Sequence, residues 1–223
     1  VPTPPYQYDK LLANAGEMLS YGVELAVTGV PVQTKDVTWT SSLTLAWNEN
    51  IITKLSDPEK GFNYTSSPQG NLYGNKFNGS DSYTQILMEG GKVGQFYGYK
   101  WMGFNDKGEW VYEDQYGGPT AKPTAADKKY LGSAQPAVTY GWNNTVRYKN
   151  LDVTIFLRGV IGNKLLNATR FMYTPDGTDK TTDYNFFVKD VASGNGPAKN
   201  NGAVFADYNH FSDYWLEDGS YLK

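Results

Sequence analysis

Strand-like segments in this chain are joined by connections that alternate between short and long, and this sorting limits the fold more than any single motif. From Gly16 the pattern has period two, with Tyr21, Val23, Leu25 and Val27 on one side and Glu24, Ala26 and Thr28 on the other. After a short polar break at 31–36, Val37, Trp39, Ser41, Leu43, Leu45 and Trp47 share a face against Thr38, Thr40, Ser42, Thr44 and Ala46. Residues 49–92 are a long polar stretch with few apolar positions. A strand is expected over 94–104, a tight turn at 105–108 and a returning strand over 109–114. A second long loop covers 115–135. Strands over 137–148 and 151–161 follow, separated only by Lys149 and Asn150, the spacing of a hairpin with a very short turn. The third long loop is 162–213, with a helical turn expected across 164–171, and a further strand starts near Asp218.

That reading gives six strands and the beginning of a seventh. Long irregular segments are unusual inside a compact domain but ordinary on the outside of a membrane barrel. In such barrels the turns at one rim are short and the loops at the other are long, whereas a soluble sandwich has no physical reason to sort its connections. Six or seven strands cannot close around a lumen wide enough for loops of this size. The expected fold class is therefore all-β, an antiparallel transmembrane β-barrel sector with long extracellular loops. Trp39 and Trp47, near the two ends of one strand, suit rings placed at the two membrane interfaces. Periodicity alone also fits a hairpin of a soluble sandwich, so a secreted glycan-binding β-sandwich module is the rival reading.

Composition supports a turn-rich β protein, since 18 Tyr, 10 Phe and 6 Trp stand beside 24 Gly in 223 residues. A net charge of −3 offers no positive footprint for nucleic acid. The absence of cysteine excludes a disulfide framework, a thiol nucleophile and Cys-based metal sites. The single histidine, His210, cannot recruit a second imidazole to a metal and is expected to be a solvated loop residue. No apolar run approaches the roughly 20 residues of a transmembrane helix, a test that transmembrane strands escape. Neither end of the chain has the pattern of a natural terminus, and residues 1–223 are expected to be part of one C-terminal β-barrel domain, incomplete at both ends.

Catalysis finds little support. The acidic pairs Glu109 with Glu113, Glu113 with Asp114, and Glu217 with Asp218 sit at strand ends, where carboxylates are ordinarily solvated, rather than facing one another across a sugar. The triplets at Asn63, Asn78, Asn143 and Asn167 match glycosylation acceptors, a pattern that arises by chance in Asn-rich loops. Gly90-Gly91 and Gly194-Asn-Gly196 are turn glycines without the strand-then-helix context of a phosphate cradle. No catalytic residue, metal or cofactor is expected. The candidate contact residues are loop aromatics: Tyr64, Tyr73, Tyr173, Phe186, Phe187 and Tyr208, which could stack on a substrate or meet a partner, or instead pack the loops together.

A family resemblance runs along most of the chain. Asn14-Ala-Gly16 with Ser20-Tyr-Gly-Val-Glu24, Trp39 through Asn48-Glu-Asn-Ile-Ile52, and Glu89-Gly90 with Val93-Gly-Gln-Phe-Tyr-Gly-Tyr99 and Gly103-Phe104 come in that order. Leu131-Gly132, Pro136, Tyr140-Gly141, Asn144, Tyr148-Lys149 and Asp152 follow, then Gly159, Gly162-Asn163 and Asn167, and finally Trp215-Leu-Glu-Asp-Gly-Ser-Tyr-Leu222. The succession resembles the C-terminal barrel portion of SusC/RagA-type TonB-linked (TonB-dependent) outer-membrane transporters. The resemblance implies a barrel of about 22 strands and nutrient import across the bacterial outer membrane. It further implies an oligosaccharide or oligopeptide substrate, a SusD-like surface lipoprotein as partner, contact with outer-membrane lipid, and coupling to TonB through segments outside these residues. Where such proteins often carry an acidic stretch that could pass for a calcium loop, this chain reads Glu113-Asp-Gln-Tyr-Gly-Gly-Pro119, so no oxygen cage of that kind is expected.

Overall fold

The computed structural model describes residues 16–61, 63–72, 83–105, 109–173 and 210–223. In chain order the strands begin with β1 (Glu17–Gln33), β2 (Val37–Lys54), β3 (Ser66–Asn71), β4 (Tyr83–Met88) and β5 (Gln95–Gly98). Next come β6 (Trp101–Phe104), β7 (Trp110–Glu113), β8 (Pro119–Thr120), β9 (Lys129–Ser133) and β10 (Val138–Tyr148). Then follow β11 (Leu151–Ile161), β12 (Lys164–Leu166), β13 (Leu216–Asp218) and β14 (Tyr221–Leu222). A helix, α1 (Ala168–Tyr173), and a 3-10 turn at Asp213–Trp215 complete the described elements.

Five strands form an antiparallel wall in the order β1-β2-β10-β11-β14. Residues directly opposite each other in a sheet share a face, so the register assigns every side chain to one of two sides. Val23, Leu25 and Val27 face the same way as their partners Trp47, Leu45 and Leu43. Leu43 and Leu45 in turn lie opposite Trp142 and Tyr140, and Trp142 opposite Leu157. Val146 with Val153 and Tyr148 with Leu151 extend the same face toward the short turns. Most of these apolar side chains are exposed, with Tyr140 and Leu157 half-buried, and no second sheet covers them among the described residues. A sandwich would bury such a face between two sheets.

The opposite face carries small and polar groups. Thr28 and Ser42 share a hydrogen bond at 2.8 Å, Thr145 and Thr154 one at 3.2 Å, and Arg147 Nε donates to Asp152 Oδ1 at 2.8 Å. An apolar outside and a hydroxyl-lined inside are what a wall between lipid and an aqueous lumen requires. Strand length agrees. Eleven residues in each of β10 and β11, rising about 3.4 Å each at a tilt of about 45°, cross about 26 Å, the height of the apolar band of an outer-membrane barrel.

β1 and β2 are longer, at 17 and 18 residues. Val37 pairs with Tyr148 at the turn end, so the surplus of β2 above Ala46, which pairs with Thr139, rises past the membrane at the loop end. At the turn end the two hairpins are tied together by Lys149 N donating to Asp36 O at 2.9 Å.

The two long excursions, from β2 to β10 and from β11 to β14, hold a core of their own. Phe96, Tyr99, Trp110, Tyr112, Phe211 and Trp215 are buried together, with Leu72, Trp101, Phe104, Leu131, Leu166 and Tyr214 packed around them. The buried apolar core of the described residues is thus aromatic and lies in the loops rather than between wall strands, apart from Ile52.

Several sequence expectations change here. The segment 94–104 is two short strands, β5 and β6, and 109–114 contains β7; none belongs to the wall. The wall shows four long strands and the start of a fifth, against the six and a seventh expected. The reason is burial: Phe96, Gly98 and Tyr99 are buried, as are Trp110 and Tyr112, whereas a wall strand keeps one face toward lipid. The loop expected at 115–135 contains β8, a 3-10 turn and β9, and the helical turn expected from 164 is β12 followed by α1. The polar break expected from Pro31 begins later, because β1 continues to Gln33.

Candidate functional site: the loop cap and the rim beneath it

The cap is welded from both excursions. Tyr99 forms a parallel bridge to Ser212, with Tyr99 N donating to Phe211 O at 2.9 Å and Asp213 N to Tyr99 O at 3.2 Å. Gly98 makes this approach possible, because a Cβ there would strike the Phe211 backbone carbonyl. Trp101 N donates to Asp213 Oδ1 at 2.7 Å. β12 pairs with β13, and Asn167 N reaches Trp215 O at 2.9 Å. Around this joint the rings meet edge to face: Trp110 with Tyr214 at 4.9 Å, Tyr214 with Trp215 at 4.8 Å and Trp101 with Tyr214 at 4.8 Å. The Arg170 guanidinium stands 4.2 Å over the Tyr214 ring and joins α1 to the same cluster.

His210 is a correction. Rather than a solvated loop residue it is half-buried, its ring 5.0 Å from Tyr99 and 5.8 Å from Tyr112, both edge-on. It borders a cavity of about 300 Å3 with Glu109, Trp110, Lys122 and Pro123. A lone histidine carries no sequence signal for ring packing; only the partners supplied by the fold reveal it.

The acidic residues of the cap serve its loops. Glu113 receives Lys129 at 2.8 Å and Lys100 at 3.1 Å, and these two ammonium groups hold its carboxyl below the usual range. Asp127 is buried; its oxygens accept from Thr124 N at 2.6 Å, Thr124 Oγ1 at 2.9 Å and Gln115 N at 2.7 Å, and these hydrogen bonds lower its pKa. Asp114 Oδ1 accepts from Tyr116 N and Gly118 N at 2.8 and 2.7 Å, which closes a tight turn. Asp213 differs, because burial pushes its carboxyl up despite the Trp101 amide that donates to it. Among the described residues no group of three His, Cys, Asp or Glu could hold a metal ion.

Of the sequence-selected contact aromatics, Tyr64 is described and is exposed at 56%. Tyr173 ends α1, and nothing of its side chain is described; Tyr73, Phe186, Phe187 and Tyr208 lie outside the described residues. The described structure therefore does not bring these candidates together. It does present one aromatic that sequence reasoning passed over. Tyr116 is 87% exposed at the tip of the turn closed by Asp114, with Gly117 in the left-handed region at φ 88°. The signal was the run Asp114-Gln-Tyr-Gly-Gly118, a turn signature holding an aromatic at its apex.

On the wall, Tyr21 and Trp47 meet edge-on at 5.7 Å near the loop rim, on the lipid side. At the other rim Tyr148 lies beneath the Lys149 ammonium, 5.4 Å away. Trp39 directs its indole N–H to Asn144 Oδ1 at 3.1 Å, and Trp142 directs its own to Ser41 Oγ at 2.9 Å. Inside, a concavity of about 600 Å3 lies against Glu24, Thr44, Gly141, Phe156 and Arg158. A Cβ at Gly141 would meet Thr44 Oγ1 at 2.9 Å and the Phe156 ring at 3.7 Å, so that ring covers the glycine on the lumenal face.

Comparison with known proteins agrees with this geometry. No protein-family profile matches the chain. It is 28% identical over 199 residues to TonB-dependent receptor P3 of Formosa agariphila, covering 82% of this chain and 19% of that protein. It is 25% identical over 223 residues to TonB-dependent receptor SusC of Bacteroides thetaiotaomicron, covering 96% of this chain and 20% of that protein. Two solved structures share the fold: the RagAB peptide transporter, with a TM-score of 0.65 at 19% identity, and the RagAB peptide importer in its closed-closed state, with 0.66 at 20%. Each match covers 94% of this chain and 22% of the solved one. The chain spans about a fifth of the length of the curated relatives it matches. Those relatives are receptors and not enzymes. The resemblance to SusC/RagA-type TonB-dependent transporters therefore stands, and with it fold class and place: the chain has the fold of a sector of an outer-membrane β-barrel and is similar in sequence to receptors of that type.

Proposed function

We propose that the chain is the wall-and-cap portion of a TonB-dependent nutrient importer, lying in the C-terminal part of a single barrel domain of about 22 strands. The observation that carries this reading is the two-faced wall, apolar toward lipid and hydroxyl-lined toward the lumen, topped by one folded cap made from both long loops. The wall satisfies its backbone hydrogen bonds between strands, as the bilayer demands. The cap stands where an extracellular substrate arrives. Its exposed aromatics, Tyr64 and Tyr116, offer flat faces to a sugar or peptide or to a SusD-like surface lipoprotein, and Tyr73, Tyr173, Phe186, Phe187 and Tyr208 are proposed for the same contacts. Energy enters through TonB at segments beyond this chain.

The substrate is an oligosaccharide or an oligopeptide; the solved RagAB structures are described as peptide transporters. The test is uptake by the native host with the full-length gene deleted and restored, using labelled oligosaccharides and labelled oligopeptides in parallel. Uptake of one class that requires both the receptor gene and TonB supports the reading; uptake of neither class overturns it.

A further inference from the structure

The wall and the cap leave a gap between them along the upper part of β2. As far as Ala46, β2 is paired with β10. Higher up, its neighbour is the cap segment 90–93, through Val93 N to Asn50 O at 3.0 Å and Ile52 N to Gly91 O at 2.9 Å. Between these two pairings opens a crevice of about 210 Å3. Asn48 and Asn50 border it on β2, Ser133 and Gln135 across from them, and Glu49 and Lys92 complete the border.

The charges on this border cancel. Lys92 pairs with Glu49, whose Oε2 also accepts the Tyr21 hydroxyl at 2.8 Å. The crevice thus favours neither an anion nor a cation. What remains is amide and hydroxyl. Asn50 spends its Oδ1 on the Ser20 hydroxyl at 2.6 Å and keeps its two amide donors. Ser133 Oγ accepts from Gln135 N at 3.0 Å and keeps its own proton to donate. The side chains of Asn48 and Gln135 make no hydrogen bond among the described residues. Paired donors and acceptors without net charge match a neutral polyhydroxylated ring.

We propose that this crevice is a rim subsite for one neutral sugar residue. Its volume lies below the roughly 300–1,000 Å3 of pockets for drug-sized ligands, so it takes a single ring and not a chain. The proposal rests on reading the chain as a barrel sector with its cap outside, and not on import of any nutrient. The ring comes either from a soluble oligosaccharide or from a glycolipid of the surrounding leaflet.

The experiment uses the full-length receptor. In one arm, delipidated receptor in detergent is mixed with neutral trisaccharides of glucose, mannose and galactose, and with a neutral tripeptide, and saturation transfer to ligand protons is measured by NMR. In the other, glycolipid that co-purifies with the receptor is counted by mass spectrometry. The variants are Asn48→Ala with Gln135→Ala, Gln135→Glu, and Val93→Phe, which narrows the crevice; heat-modifiable mobility on gels confirms that each is folded. The expected result is saccharide or glycolipid binding that falls about tenfold or more in every folded variant, with no transfer to the tripeptide. Signal in the first arm assigns a soluble source, and loss confined to the second assigns a glycolipid. Binding indifferent to all the variants, no binding in either arm, or capture of the tripeptide overturns the subsite. Normal uptake with no such binding sinks the subsite alone, and saccharide binding without uptake sinks the import reading alone.

Discussion

At the scale of single residues, the cap hangs on a few close approaches. Gly98 lets the Phe211 carbonyl lie against the β5 backbone, and Trp215, fully buried, fills the space where both loops meet. Gly98→Ala is expected to wedge the loops apart at a cost of about 1–3 kcal/mol, and Trp215→Ala to cost about 3–5 kcal/mol through the cavity it leaves. Hydrogen exchange on the full-length protein checks both: amides of β5, β6 and β12 should lose protection together while those of β10 and β11 keep theirs. Titration gives a second residue-scale test. The Asp213 carboxyl is raised by burial, so the folded cap holds its proton more tightly than the unfolded chain does; that contribution is present at low pH and fades as pH rises through the raised value. Glu113, lowered by Lys129 and Lys100, acts in the opposite sense: its contribution is present above the ordinary carboxylate range and is lost on acidification. Asp213→Asn should therefore make the cap relatively more stable at neutral pH, and Glu113→Gln should flatten its loss of stability in acid. Cap tryptophan fluorescence followed against pH, variant beside parent, reads both slopes; slopes unchanged from the parent would refute the assignment.

At the scale of elements, the wall was legible and the cap was not, for a physical reason. In β2 and β10 the alternation of Leu43, Leu45 and Trp142 with Thr44, Thr40 and Thr145 reports two different solvents, and only a strand between two such media keeps that pattern along its length. β5, β6 and β7 show a similar richness in aromatics, yet Phe96, Trp110 and Tyr112 face a shared interior that Phe211 and Trp215 of the other long loop complete. Local periodicity does not reveal which medium a strand faces, so these segments read as wall. His210 escaped for the same cause, since it is placed by distant rings, whereas Tyr116 sits at the tip of a locally signalled turn that no described residue covers. The lipid face of β2 and β10 carries a further element-scale prediction. Ser41 and Asn144 lie opposite each other there, and each accepts a neighbouring indole N–H. Asn144→Ala would leave the Trp39 N–H without an acceptor in hydrocarbon, at a cost of about 1–3 kcal/mol, whereas Trp39→Phe combined with Asn144→Val removes both partners and should be nearly neutral. Folding titrations into lipid vesicles distinguish the two outcomes, and equal losses in both would show that the hydrogen bond contributes nothing.

At the scale of the whole molecule, the chain carries the surfaces of a part and not of a self-sufficient domain. β1 is exposed along all 17 of its residues and has only β2 beside it among the described residues, leaving a long free edge of backbone donors and acceptors. Such an edge in water is a template for pairing with other copies. The wall adds an uncovered apolar face, with Leu25, Val153 and Ile155 about half exposed, and hydrophobic surface of that extent drives association unless lipid or detergent covers it. The cap has a different character, with a closed aromatic core and charged groups already paired, as at Glu113. Residues 1–223 expressed alone are therefore expected to aggregate in plain buffer, and detergent should cover the apolar face without supplying the missing neighbour for β1. Light scattering and gel mobility of the fragment, beside the full-length protein in the same detergent, make the comparison. The full-length protein should migrate as one heat-modifiable species, and the fragment should form mixed oligomers through its free edge. Adding charge along that edge, for example Val23→Lys with Val27→Lys, should reduce those oligomers in detergent. A soluble, monomeric, cooperatively unfolding fragment in plain buffer would contradict the barrel sector, because it would show that the apolar face and the edge find their partners within these residues.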